Sequence, residues 1–168
     1  GNVLLDKDKK DEIWNYEQHE LGFNYRITDI QAALGISQLN KLDSFLERRN
    51  KIANIYNKCL MDLPIQLPHV DKDNYSSFHL YPIRVPFDGK IKNQKYFYQF
   101  LRKSNILVNI HYIPVYRHPY YKKIGFKKNY CPESEKYFKE VISLPIFPSL
   151  NKDEQEYIIE KIRSLCSK

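Results

Sequence analysis

Leu21–Gly35, LGFNYRITDIQAALG, joins a polar loop to the first turns of a helix, and its reading sets the register of the whole helical segment beyond it. Thr28 is placed as an N-cap with Gln31 three residues on. In that capping-box spacing, hydroxyl and amide each satisfy an orphan backbone N–H. Asn24, Tyr25 and Arg26 stand just before the helix start, where free N–H groups and the positive end of the helix dipole favour an anion, a phosphate above all. The same two polar side chains, Asn24 and Arg26, also suit an ordinary wet surface beside a cap, and spacing alone leaves both readings open.

Working outward, residues 1–22 are polar with scattered apolar side chains and read as a connecting arm. From Thr28 to about Met61, Ile30, Ala33, Leu34, Leu42, Phe45, Leu46, Ala53, Tyr56 and Leu60 recur at steps of three and four, which predicts one long amphipathic helix closed by Pro64. Glu47, Arg48, Arg49 and Lys51 are expected on its wet face. Ser77–Val85 reads as a strand ending in the turn signal Pro86-Phe87-Asp88-Gly89. Asn93–Lys103 continues in helical register. Ile106–Tyr112 alternates as a second strand, Pro132–Glu140 suits a short helix with proline in its first turn, and Ile142–Ile146 gives a third strand. Asn151 with Glu154 caps a last helix whose inner stripe is Tyr157, Ile158, Ile162 and Leu165. This order predicts an α/β chain of the α+β two-layer kind, with a long first helix and a small, mostly antiparallel sheet covered by helices. The division expected is 1–27, arm and anion loop, and 28–168, one domain.

At 168 residues, 42% hydrophobic and 14% aromatic, the chain is long enough for a core. No apolar run approaches the roughly 20 residues of a membrane span, and no signal peptide is visible at the start. The formal charge of +7 invites a polyanion, but Lys7, Lys9 and Lys10 alternate with Asp6, Asp8, Asp11 and Glu12. The one dense basic cluster is Lys122, Lys123, Lys127 and Lys128. With no zinc-finger, RNP1-like or basic-zipper pattern, neither nucleic acid nor membrane is the expected partner. Cys59, Cys131 and Cys166 are odd in number and widely spaced, which fits a reducing cytoplasm and inert thiols.

The chain holds no G-x-G-x-x-G, no P-loop and no G-x-S-x-G. His111 and His118 lack a neighbouring carboxylate or cysteine, so no metal site is expected. What remains is Asn24 with Arg26, and the loop Asn109–Tyr121. There Tyr112, Tyr116, Tyr120 and Tyr121, with His111 and His118, offer flat faces with polar tips for a sugar ring or a uracil. Tyr- and Pro-rich loops also pack on cores, so this reading too has a structural alternative.

Four segments in order, GFNYRITDIQAALGISQLNKLDSFLERRNKIANIY from Gly22, HLYPIRV (79–85), NIHYIPVYRHPYY (109–121) and ISLPIFPSLNKDEQEYIIEKI (142–162), resemble the DegT/DnrJ/StrS sugar aminotransferases. HYIPVYRHPYY is most similar to the branch that makes pseudaminic acid precursors. The resemblance implies the carboxy-terminal small domain of a fold type I enzyme that uses pyridoxal 5′-phosphate. It implies a homodimer in which Asn24 reaches the partner subunit's cofactor phosphate. Arg26, Asn109, His111 and Tyr112 would contact a nucleotide sugar, with Tyr116 beside them. Glutamate would supply the amino group and C4 of a UDP-linked 4-keto-6-deoxyhexose would receive it. The resemblance begins after the large domain that carries the Schiff-base lysine, so no catalytic residue is assigned in this chain and it is expected to be inert alone. Alternatives are a non-catalytic sugar-nucleotide or protein-binding module, and a regulatory relative that binds the cofactor without transamination.

Overall fold

The computed structural model describes residues 20–23, 25–87 and 93–166. Asn24, most of the arm, and Asp88 and Gly89 of the turn signal lie outside them. The chain forms two compact units, Gly1–Lys41 and Leu42–Lys168.

In the first unit, helix α1 spans Asp29–Leu39 behind the predicted capping box. The Gln31 N–H donates to Thr28 Oγ1 at 3.3 Å, and the Thr28 N–H donates to Gln31 Oε1 at 3.0 Å. Phe23 and Tyr25 stack at 5.4 Å. The expected single helix is interrupted: the Asn40 N–H donates to Ile36 and Gln38 carbonyls, the Lys41 N–H closes a tighter i→i+3 bond to Gln38 O at 3.0 Å, and α2 begins at Leu42. Three- and four-residue spacing runs on through this break, which is why periodicity alone missed it. Burial differs across it as well. α1 buries none of its residues, so Ile30 and Leu34, expected inside, are exposed.

The second unit carries the core. α2 (Leu42–Leu60) is followed by β1 (Tyr81–Arg84), α3 (Gln94–Lys103), a 3₁₀ turn (Val115–Arg117), α4 (Pro119–Lys123), α5 (Pro132–Glu140), β2 (Val141–Leu144) and α6 (Lys152–Cys166). Asn93 caps α3 through Tyr96 N–H at 2.8 Å, and Asn105, at φ 59°, ends it in the left-handed conformation that asparagine tolerates. Asn151 and Glu154 form a reciprocal capping box before α6, at 2.8 and 3.0 Å.

β1 and β2 pair antiparallel with Tyr81 opposite Leu144 and Ile83 opposite Ile142. Opposed residues share a face, so these four point to one side and Pro82, Ser143, Arg84 and Val141 to the other. The first face joins Ile52, Tyr56 and Leu60 of α2, Phe97 and Leu101 of α3, and Ile158, Ile162 and Leu165 of α6 in one core. Full burial of such side chains stabilises by roughly 1.5–3 kcal/mol each. The fold is therefore the expected mixture of helices over a small antiparallel sheet. The segment Ile106–Tyr112, however, adds a single antiparallel bridge, Asn109 to Ser143, rather than a third strand. The Val108 N–H turns back to Ile106 O at 3.0 Å and Asn109 Oδ1 takes the Ile110 N–H at 2.8 Å, which removes the groups a longer ladder needs. Tyr157, placed by periodicity in the inner stripe of α6, is 41% exposed, and Gln155 and Ile159 are buried instead.

Arg48 and Arg49 also depart from expectation. Glu47 and Lys51 do form an exposed pair at 2.6 Å, but both arginines are half-buried. Arg48 donates to the carbonyls of Pro148 and Leu150. Arg49 donates to Phe78 O at 3.0 Å and Ile146 O at 2.8 Å. These cations close connecting segments on either side of the sheet by satisfying carbonyls that strands leave open.

Candidate functional site

The face of the sheet opposite the core builds the site. Strand alternation that buries Tyr81 and Ile83 turns Arg84 outward. There Nε and Nη2 of Arg84 donate to Glu140 Oε2 at 3.0 and 2.6 Å, and its guanidinium lies 5.7 Å from the Tyr137 ring centre. Burial pushes the Tyr137 phenol up, opposed by the Arg84 charge. On β2, Ser143 exchanges backbone hydrogen bonds with Asn109, at 2.8 and 3.3 Å, and its hydroxyl lies 2.9 Å from His111 Nδ1.

From that anchor the chain passes through a cis His111–Tyr112 peptide bond, and the two rings meet edge-on at 4.5 Å. Tyr112 is 68% exposed. With Ile113, Pro114, Val115, Glu133, Ser134, Tyr137 and Arg84 it lines a hollow of 520 Å³. Two tyrosines, an aliphatic wall and a rim of hydroxyl and carboxylate suit a ring with polar substituents. Arg84 is already matched by Glu140, so the hollow offers no strong free cation for a phosphate.

Asn109, His111 and Tyr112 thus sit together on one anchored segment. Tyr116 belongs to the same loop but is turned inward, 8% exposed, with its hydroxyl 3.0 Å from Glu135 Oε1 and 3.2 Å from Cys131 O. Burial, then the Glu135 carboxylate, hold its phenol above the usual range. Its ring is used to support the loop rather than to present a face. Arg26, in the first unit, is exposed and makes no hydrogen bond or ion pair to another described residue. Asn24 lies outside the described residues. Sequence reasoning missed Arg84, Ser143 and Tyr137. The outward phase of Tyr81–Arg84 was the available signal for Arg84, whereas the partners of Ser143 and Tyr137 come from distant segments.

The DegT/DnrJ/EryC1/StrS aminotransferase family pattern matches residues 4–163. The chain belongs to this family. Over 175 residues it is 34% identical to the UDP-4-amino-4,6-dideoxy-N-acetyl-beta-L-altrosamine transaminase of Campylobacter jejuni, covering 98% of this chain and 46% of that protein. Its fold matches Helicobacter pylori PseC, an aminotransferase involved in biosynthesis of pseudoaminic acid, with TM-score 0.83 and 27% identity over 98% of this chain and 43% of that one. The PLP form of the sugar aminotransferase Spr1654 of Streptococcus pneumoniae matches with TM-score 0.82 and 31% identity, over 92% and 39%. The chain thus spans less than half the length of these relatives.

Enzymes of the DegT/DnrJ/EryC1/StrS family depend on pyridoxal phosphate. Asn24, the residue expected at the phosphate end of that group, lies outside the described residues, and Arg26, expected at the sugar nucleotide, is exposed just before the capped start of α1. The ring end is a different matter. No lysine lines the Tyr112 hollow, so the described residues offer no enclosed amine for an imine there. Among the described residues, no cluster of three His, Cys, Asp or Glu side chains suits a metal, and no helix is long and apolar enough to cross a membrane.

Proposed function

We propose that the protein is a cytoplasmic, homodimeric nucleotide-sugar aminotransferase that moves the amino group of glutamate to C4 of a UDP-linked 4-keto-6-deoxyhexose, in the manner of pseudaminic acid biosynthesis. Residues 1–27 are the connecting arm and phosphate loop, and 28–168 the small domain. When bound, pyridoxal phosphate supplies the electron sink that amino transfer needs. Asn24 donates its amide to the cofactor phosphate of the partner subunit, and Arg26 gives the sugar nucleotide's diphosphate a planar two-pronged donor. Asn109, His111 and Tyr112 hold the sugar nucleotide, with Tyr112 offering its ring to the base or sugar. Tyr116 acts behind them by fixing the loop through Glu135. None of these residues forms a bond to the reacting carbon; their work is binding and orientation.

The observation that carries this reading is the conjunction of the family match over residues 4–163 with the anchored, outward Tyr112 above a 520 Å³ hollow. The test is an amino-transfer assay of the full-length protein with pyridoxal phosphate, glutamate and a UDP-4-keto-6-deoxyhexose, read by the mass of the sugar product. A dTDP-linked keto sugar run beside it tests the nucleotide. Failure to aminate either sugar removes the proposal, and amination of the dTDP sugar alone replaces the uracil assignment.

A further inference from the structure

The geometry points to a second interaction surface, a basic aromatic lobe at residues 116–130 that docks on an anionic phospholipid bilayer. The sequence contains no Asp or Glu from Gly89 to Pro132, so the positive charge of the chain concentrates in this stretch. The lobe carries four of these cations, Lys122, Lys123, Lys127 and Lys128. α4 ends at Lys123, the chain reverses at Gly125, where φ is +105°, and Phe126 N–H returns to Tyr121 O at 3.1 Å. Phe126 packs against Tyr121 at 5.9 Å and Tyr130 at 5.1 Å, and Tyr130 continues to Tyr116 at 6.0 Å. This ladder ties Lys122 and Lys123 on one side of the turn to Lys127 and Lys128 on the other. All four lysines are exposed and none is paired with a carboxylate among the described residues. Arg117 does not add to this charge, because Glu135 lies 3.7 Å from it.

The apolar side chains at the same lobe decide between kinds of anion. Tyr120 is 67%, Ile124 58% and Tyr130 63% exposed. Phe126 meets Tyr121 and Tyr130 edge-on at 76° each, Tyr120 meets Tyr121 at 87° and Tyr130 tilts 56° from Tyr116, so no pair makes the parallel platform on which bases stack. Ile124, next to the reversal, has no π face at all. An aliphatic tip flanked by tyrosines and lysines matches the boundary between headgroups and acyl chains, where tyrosine resides and lysine meets anionic phosphate. This is surface attachment, compatible with the lack of a spanning helix among the described residues.

The test is co-sedimentation of the full-length protein with vesicles of equal parts phosphatidylglycerol and phosphatidylcholine, and with phosphatidylcholine alone, at low and raised salt. The expected result is salt-sensitive partition to the anionic vesicles only. Each lysine near such a surface contributes about fivefold, so Lys122→Ala with Lys123→Ala, or Lys127→Ala with Lys128→Ala, lowers partition by about 25-fold. Ile124→Ser, which keeps the charge, weakens vesicle binding and leaves heparin retention unchanged. The circular dichroism of every variant stays that of the parent, because the altered side chains are exposed. No partition at low salt, or full partition by the variant lacking all four lysines, overturns the proposal. Equal behaviour of the parent and Ile124→Ser on vesicles, with strong retention on heparin or oligonucleotides, makes the lobe a general polyanion binder and overturns the lipid assignment. Amino-transfer activity is not a readout of any arm, so this result stands or falls apart from the proposed reaction.

Discussion

His111 Nδ1 lies 2.9 Å from the hydroxyl of Ser143, a side chain 4% exposed on β2. The same serine exchanges both backbone bonds with Asn109, so one residue of β2 fixes the start of the segment that carries Tyr112. Ser143→Ala keeps the backbone bridge and removes the side-chain tie. The loss expected is about 1 kcal/mol of unfolding free energy, with an unchanged denaturant slope in urea. In the full-length enzyme, the Michaelis constant for the sugar nucleotide rises while turnover changes little, because the segment still forms but its ring is less fixed. A fall in turnover at constant Michaelis constant would move His111 from positioning to the chemistry itself.

Arg49 tests whether the half-buried cations of α2 hold the connections together. Its guanidinium bonds the carbonyls of Phe78 and Ile146, and Phe78 has a left-handed backbone, φ 43°, that needs holding. Arg49→Ala is expected to lower stability by about 2–3 kcal/mol, since hydrogen bonds to charged groups are the strong ones and the freed carbonyls are partly covered. Lys51→Ala, on the exposed side of the same helix, leaves the urea midpoint where it was. Equal effects of the two substitutions would show that the arginine is only surface charge.

Burial pushes the Cys166 thiol from an ordinary 9.0 up to about 11, partly opposed by Arg163. The folded state therefore keeps its proton after the unfolded chain has lost its own. Stability from this group is complete below pH 9.0 and is lost as the pH rises toward about 11. Tyr56 and Tyr81, both raised by burial, extend the decline in the same direction. Urea midpoints measured from neutral pH upward should fall, and Cys166→Ala should remove the earliest part of that fall. At mildly alkaline pH a disulfide-exchange reagent reacts slowly with Cys166 until urea unfolds the chain. Immediate reaction in the native state would mean that the thiol is not shielded.

Legibility in the sequence tracks the range of each interaction. The caps at Thr28, Asn93 and Asn151 each depend on a partner three residues away, so composition and spacing contain the whole bond. The same holds for the proline that opens α5. Arg48 and Arg49 looked like surface charge because their carbonyl partners lie as far off as Leu150 and Ile146. Tyr116 is indistinguishable in sequence from Tyr112, and the partners that hold it inward, Cys131 O and the Glu135 carboxylate, come from a later segment. The break at Asn40 escaped for the opposite reason. α1 buries nothing, so its apolar spacing reports no core contact that could have marked a boundary.

Tyr112 and Arg26 give the proposed function its sharpest test, because each is assigned a separate contact whose loss is read on its own. Tyr112→Ala in the full-length protein removes the exposed ring over the hollow. It should raise the Michaelis constant for the sugar nucleotide about tenfold while that for glutamate stays constant, and Tyr112→Phe should restore most of the loss, since the ring face rather than the hydroxyl does the holding. Arg26→Ala removes a charged hydrogen bond worth about 1.5–3 kcal/mol, so binding of the nucleoside diphosphate alone should weaken about tenfold to a hundredfold. Asn24→Ala should instead speed loss of pyridoxal phosphate, read by its absorbance after gel filtration, with nucleotide binding intact. Residues 1–168 assayed by themselves should give no turnover if, as the resemblance implies, the imine-forming lysine belongs to the large domain. If Tyr112→Ala and Arg26→Ala both leave nucleotide binding as it was, the ligand lies elsewhere, and the hollow beside Arg84 is a feature of packing.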